Sequence, residues 1–383
     1  MIYLDHNATS PLRPEAKATM LRALENGGNP SSVHAAGRAA CKLIEEARER
    51  VAEFAGASPG EVIFTSGGAE ANALALRGAM AGAVEAGQPI TRLFVQSTAH
   101  ESVRAVAASL AETTSVLQLC EIPVDANGRI DQNTFSAQLA GEGRALVCLI
   151  YVNNETGAVE DIASLAKCIR AKTNALIHVD AVSSGCCPIR FREWDVDCLS
   201  LSAHKIGGPQ GVGALVAKDG APLVPLFNGF QEMRRRGGTE NVCGIAGFGA
   251  AVRALQMNRE EEIARITAIR DNFENALANL DAIVFAKDAE RSPNTTCFAI
   301  PGLLAETALM ALDLDGICVS SGAACSSGKV GRSHVLKAMG VSDELARCVL
   351  RVSLGWNSTQ ADADAAIASL EKLIARISAR KAA

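Results

Sequence analysis

Lys205 stands in the run Leu201-Ser202-Ala203-His204-Lys205-Ile206-Gly207-Gly208-Pro209-Gln210-Gly211, between an apolar stretch that begins at Cys198 and a glycine-rich turn. An amine placed there, with a hydroxyl and an imidazole within three residues, can form a Schiff base with an aldehyde cofactor. Upstream, Ile177-His178-Val179-Asp180 brings a carboxylate to the end of another apolar run. A lysine to hold the aldehyde carbon and a strand-end aspartate to keep a pyridine nitrogen protonated are what pyridoxal 5'-phosphate needs. A lone lysine at a strand end reads as a surface residue. Ser202, His204 and Asp180 beside it argue for chemistry.

Three further places fit the same cofactor. Thr65-Ser66-Gly67-Gly68-Ala69-Glu70 links an apolar run to a helix expected near Ala69, so the backbone N–H groups of Gly68 and Ala69 can face a phosphate. His100, in Thr98-Ala99-His100-Glu101-Ser102 after another strand, can stack on a flat ring and move protons. Asn154, in Asn153-Asn154-Glu155-Thr156-Gly157, can reach a phenolic oxygen. Apart from these, Ser320-Ser321-Gly322-Ala323-Ala324-Cys325-Ser326-Ser327-Gly328 surrounds one thiol with Ser, Gly and Ala only. Such residues build no core, so the thiol is expected on a mobile loop, poised to react.

The elements that must position these groups alternate between helical and strand patterns. Leu43, Ile44, Ala47, Val51 and Phe54 recur at helical spacing, and Glu61-Val62-Ile63-Phe64 then reads as a strand. Short apolar runs follow at 93–95, 145–152, 175–179, 198–201 and 212–216, with helical composition between them. This predicts an α/β architecture with a mostly parallel, covered sheet. Beyond about Asn258 come a charged helix (259–280), strands at 295–300, 316–320 and 349–354, and a final helix with Ile367, Leu370, Leu373, Ile374 and Ile377 on one face. Thr359 and Asp362 offer that helix a cap. Two domains are expected: a large cofactor-binding domain over 15–257, and a smaller α+β domain formed by 1–14 with 258–383, which carries the Cys325 loop.

The bulk numbers narrow the class. A chain of 383 residues, 48% hydrophobic and 21% charged, reads as a globular enzyme. A net charge of −5 without a basic stripe argues against a nucleic-acid partner, and Arg234-Arg235-Arg236 reads as a solvated turn. The N-terminus has no secretory pattern and no apolar run is long enough for a membrane span, so a cytoplasmic protein is expected. The twelve cysteines are scattered without metal-ligand spacing and read mostly as small buried hydrophobes.

The motifs together resemble the cysteine desulfurases of the NifS/IscS type, within the class V aminotransferases. They are Tyr3-Leu4-Asp5 with Asn7-Ala8-Thr9, Gly28-Asn29-Pro30-Ser31-Ser32 with His34, Phe64-Thr65-Ser66-Gly67, Asn153-Asn154-Glu155, His178-Val179-Asp180-Ala181, Ser202-x-His204-Lys205, Gly238-Thr239-Glu240-Asn241, Ser320-Ser321-Gly322-x-x-Cys325 and Arg351-x-Ser353. The resemblance implies the aminotransferase-like pyridoxal phosphate fold (fold type I), working as a homodimer. It makes Lys205 the Schiff-base lysine, Asp180 the partner of the pyridine nitrogen and His100 the ring-stacking catalytic residue. Ser202 and His204 would bind phosphate, helped by Thr239 of the partner subunit. Arg351, with Asn154, would hold the substrate, and Cys325 would accept sulfur from L-cysteine, leaving L-alanine. The persulfide would pass to an acceptor such as an iron–sulfur scaffold. No resident metal is implied, and Cys325 could ligate an iron–sulfur cluster only transiently with that scaffold. Family members commonly carry Thr where this chain has Ala69 and Gln where it has Ser183, so phosphate affinity and cofactor tuning are the properties expected to differ. Two other readings use the same residues: a selenocysteine lyase, and a cofactor-binding scaffold without catalysis.

Overall fold

The computed structural model describes residues 1–321 and 333–382. Its strands are, in chain order, β1 (Ile2–Tyr3), β2 (Val62–Thr65), β3 (Ile90–Gln96), β4 (Gln118–Ile122), β5 (Arg144–Ile150), β6 (Leu176–Asp180), β7 (Cys198–Ser202), β8 (Gly213–Ala217), β9 (Ile283–Val284), β10 (Thr295–Ala299), β11 (Ile317–Cys318), β12 (Ser320–Ser321) and β13 (Val349–Ser353). Seven of them form the larger sheet in the order β2-β8-β7-β6-β5-β3-β4. Neighbours from β7 to β4 run parallel, and only β8 runs against the rest. Its central strands are apolar on both faces because helices cover both.

Side-chain alternation divides those faces. Ile177, Val179, Leu199, Leu201, Ala214 and Val216 point into one core with the helices Ala35–Ala55 and Val242–Met257. Leu176, Cys198, Leu215, Leu146 and Cys148 point into the other, beneath the helical stretch that starts at Gly68 and the helix Glu101–Thr113. The polar residues His178, Asp180, Ser200 and Ser202 share the period-two positions of this second face. Asp180 and Ser202 close their strands, so the candidate site opens where parallel strands end, the usual place for a crevice in α/β sheets.

The second sheet, β12-β13-β10-β9, is antiparallel throughout. Phe298, Leu350 and Val352 pack on Ile266, Phe273, Leu312, Ile367 and Leu370 from three helices. Thr359 and Asp362 exchange hydrogen bonds at the head of the last of these, Gln360–Ala382. Leu4 lies in this same core, and β1 pairs in parallel with β11, so the first residues join the chain's last third. Arg351, between Leu350 and Val352, points to the opposite face, toward the larger sheet.

The structure adds β4, which the sequence pattern did not reveal. It is an edge strand with mostly exposed side chains, paired only to β3. The cysteine expectation was too broad. Of the eleven described cysteines five are buried, five half-buried and Cys41 exposed, and none is in a disulfide. Arg236 is not simply solvated either: it pairs with Glu70 at 3.0 Å and lies over Phe227. Among the described residues no helix is long and apolar enough to cross a membrane.

Candidate active site

A cavity of about 340 Å³ at the carboxyl ends of the strands gathers most of the expected site residues. Gly68, Ala69, His100, Asn154, Asp180, Ser183, Ser202, His204, Lys205 and Arg351 all line it. Two expected residues are not among them. Thr239 is exposed and does not line this cavity, and Cys325 lies outside the described residues.

Lys205 ends a single helical turn, Ala203–Lys205, directly after β7. Its amine donates to the carbonyl of Asn7 and, at 3.1 Å, to that of Ala8. The turn after it is fixed by Arg13. The Arg13 guanidinium forms a two-pronged ion pair with Glu262, both bonds 2.7 Å, and donates to the carbonyl of Ile206 at 3.0 Å. The Arg13 backbone N–H donates to Gly207, which has φ +82 and where a Cβ would stand 2.6 Å from Arg13 Cγ. Only glycine fits that approach.

The turn after β2 is held from behind. A Cβ on Gly213 of β8 would lie 2.6 Å from the carbonyl carbon of Gly67, so the two strands' backbones touch there. The Glu70 carboxylate accepts from Ser66 N–H at 2.8 Å and from Arg236, and these donors hold its pKa below the usual carboxylate value despite its burial. The helical stretch runs from Gly68 through a π turn at Leu74–Gly78 to Glu85. Its first-turn N–H groups have no carbonyl partner within the helix.

Asp180 is buried and accepts from Asn72 Nδ2 at 2.9 Å and from Val182 N–H at 3.0 Å. Asn72 also donates to Ser102 Oγ at 2.9 Å, and Ser102 meets His100 Nδ1 through its hydroxyl at 2.8 Å and its backbone N–H at 3.1 Å. His204 is held neutral, its pKa pushed down to about 4 by burial and then by the Lys205 charge, with Nδ1 at 3.1 Å from Thr9 Oγ1. Arg351 is 1% exposed. It donates to the Asn154 carbonyl at 2.9 Å and pairs with Asp5 at 2.7 Å, while its Nε has no partner among the described residues. Glu155 beside it is buried, and desolvation pushes its pKa up to about 7 although the Ser333 hydroxyl donates to it.

The polar atoms fit a phosphate-bearing pyridine. Ser202 Oγ is buried on the cavity wall and has no partner among the described residues, as suits a hydroxyl that meets a bound acceptor. Gly68 and Ala69, in the first turn, line the same cavity, and Asp180 offers it a carboxylate that accepts from Asn72 and Val182.

Residue spacing alone did not single out Asn72, Ser102 or Arg13 and gave Asn7 no role. Asn72 was within reach, since it lies one helical turn beyond Ala69 and so on the same face. Asn7 carried no local signal. It donates to the Asn154 carbonyl and Thr295, accepts from Asn294, and so ties the first residues to both sheets.

A lysine and a carboxylate at the carboxyl edge of a mostly parallel sheet, with a glycine-led helix start at the same cavity, fit a pyridoxal phosphate-dependent enzyme of fold type I. The chain belongs to the aminotransferase class-V family, whose model matches residues 2–366. Over 99% of its length it is 41% identical to the cysteine desulfurase of Cereibacter sphaeroides, covering 97% of that protein. It is 38% identical to the cysteine desulfurase IscS of Dictyoglomus turgidum, with 98% and 95% of the two chains aligned. Among solved structures, a NifS-like protein from Rickettsia africae superposes with a TM-score of 0.87 at 33% identity, covering 98% of this chain and 99% of the other.

Proposed function

We propose that the protein is a cysteine desulfurase, taking sulfur from L-cysteine to give L-alanine and a persulfide on Cys325. The observation that carries this reading is the single cavity that unites Lys205, Asp180, His100 and Arg351. Bound pyridoxal phosphate supplies an electron sink that makes the substrate Cα–H acidic and the Cβ–S bond labile. Lys205 would anchor the cofactor and, as a free amine, would move the Cα proton. Asp180 would hold the pyridine nitrogen, and Ser183 and Asn154 would serve the phenolic oxygen. Ser202, His204 and the N–H groups of Gly68 and Ala69 would bind the phosphate. The His204 ring can meet the phosphate as a hydrogen-bond donor. Arg351 binds the substrate carboxylate, for which its unpartnered Nε is suited.

Cys325 attacks the substrate sulfur. The S–S bond forms as Cβ–S breaks, and the electron pair left on the substrate carbon takes a proton to become the methyl group of alanine. No described cysteine lines the cavity, so none competes with Cys325 at the reacting sulfur. Replacing Cys325 with alanine should leave the visible spectral change on adding cysteine and abolish persulfide formation. Undiminished sulfur transfer by that variant would overturn the assignment.

The working unit is a homodimer whose Thr239 completes the partner's phosphate site. Three consecutive residues near it, Glu232, Met233 and Arg234, have φ of 45, 56 and 65, each a cost of about 1–3 kcal/mol. The buried Glu232 carboxylate holds the segment by accepting from Arg48 at 2.8 and 2.9 Å and from Phe64 N–H at 2.7 Å. Phe227, Phe230 and Met233 are exposed there, an apolar surface suited to a second copy. The persulfide passes to an acceptor protein such as an iron–sulfur scaffold, in the cytoplasm.

A further inference from the structure

We infer that Asp180, through Asn72, holds the Ser102 hydroxyl as a second donor to His100 Nδ1 and so favours the Nε2–H tautomer, making Asn72 and Ser102 positioning residues for the desulfurase site. The inference rests on the cofactor reading above. Asp180 accepts through both oxygens, from Val182 N–H at 3.0 Å and from Asn72, whose NH2 faces Asp180 Oδ2 2.9 Å away. Flipping the amide would set oxygen against oxygen. The second N–H of that group then points at Ser102 Oγ, 2.9 Å away, and occupies one of its lone pairs. The Ser102 backbone N–H, which can only donate, reaches His100 Nδ1 at 3.1 Å and makes that nitrogen an acceptor. With its acceptor side turned to Asn72, the Ser102 hydroxyl is left to turn its hydrogen to the same nitrogen at 2.8 Å, where its second lone pair would be repelled. Two donors converge on Nδ1, so Nδ1 is unprotonated and the neutral ring carries its hydrogen on Nε2.

The cost of breaking this polarity is high at its start. Asn72 is 1% exposed and its Oδ1 has no partner among the described residues, so turning the amide over would give up two bonds to its NH2. His100 therefore faces the reactants as a hydrogen-bond donor through Nε2–H. A proton cannot enter at Nδ1 without displacing the Ser102 donors.

The test is nitrogen NMR of the imidazoles in the holoenzyme, labelled at histidine, with His100→Gln identifying the His100 signals among the six histidines. Wild type should show His100 Nδ1 as an unprotonated acceptor and Nε2 as protonated. Asn72→Asp presents an acceptor to Ser102, so the hydroxyl turns away and sets a lone pair against Nδ1. The Nδ1–H form, or the doubly protonated ring, should then rise by roughly tenfold. Adding Ser102→Ala to Asn72→Asp removes that lone pair but keeps the backbone donor, and should restore the Nε2–H pattern. A wild-type ring protonated on Nδ1, or a change that persists in the double variant, overturns the inference, because added charge and not hydroxyl direction would then set the tautomer. The visible absorption of the wild-type holoenzyme reports separately on the cofactor reading: a colourless protein would sink that reading and leave the imidazole result standing.

Discussion

Replacing Arg13 with alanine should lower the melting temperature by about 4–6 °C. Arg13 and Glu262 side chains are only 5% and 13% exposed, and the ion pair between them is two-pronged at 2.7 Å. Removing the guanidinium leaves a desolvated carboxylate and strips the Ile206 carbonyl of its donor. Breaking a buried pair from one side costs about 3–5 kcal/mol. An unfolding entropy of about 0.8 kcal/mol per kelvin for 383 residues converts that into the stated shift. The assay is thermal unfolding by circular dichroism at fixed cofactor concentration. Arg13→Met with Glu262→Met should recover most of the loss, because neither charge is then stranded. The same single variant should also release cofactor faster on dialysis, since Arg13 braces the turn after Lys205. A single variant melting within about one degree of wild type, or a double variant no better than the single, would refute the reasoning.

Three other outcomes are expected. His6 and His178, with pKa values pushed down to about 4 by burial, keep their full contribution above pH 6.5 and lose it as pH falls toward 4, about 3 kcal/mol each. Glu155, pushed up to about 7, has the opposite sign: its contribution is complete below 4.5 and fades as pH rises through 7, so it offsets part of the acid loss. Urea midpoints should therefore fall from pH 7.5 to 4.5, and a midpoint that rises would contradict this account of the histidines. Ala69→Thr with Ser183→Gln adds one possible hydrogen bond at each position, about 0.5–1.5 kcal/mol apiece, and should slow cofactor loss on dialysis; equal or faster loss would show that neither position faces the cofactor as argued. Mixing Lys205→Ala subunits with Thr239→Ala subunits should restore activity above either homodimer if Thr239 acts across the interface, because one site of the hybrid is then intact. With Thr239→Ala impaired and exchange confirmed, no recovery would place Thr239 in its own subunit's site.

The order of elements was legible because buried parallel strands are short apolar runs, and six such runs became strands of the larger sheet. The missing one, β4, lies at an edge where Gln118, Leu119 and Glu121 face solvent, so no apolar pattern was required. The groups that end strands or begin helices, Asp180, Ser202, Lys205 and Gly68, were legible too, since local chain direction decides where they point. What holds them was not. Arg13 meets Glu262, and Asn7 meets Thr295, only after the chain has folded back on itself, and no spacing encodes such a contact. Arg236 carried a misleading signal: three adjacent arginines suggest a solvated turn, yet the third is bound to Glu70 in the turn after β2.

Incubating the purified holoenzyme with L-cysteine, then measuring alanine and mapping bound sulfur by mass spectrometry of peptides, tests the central claim most directly. Alanine should form together with one extra sulfur atom on the peptide containing Cys325, and neither should appear when Lys205 is alanine. Cysteine consumed without alanine, or the extra sulfur found on another cysteine with Cys325 unmodified, would contradict it.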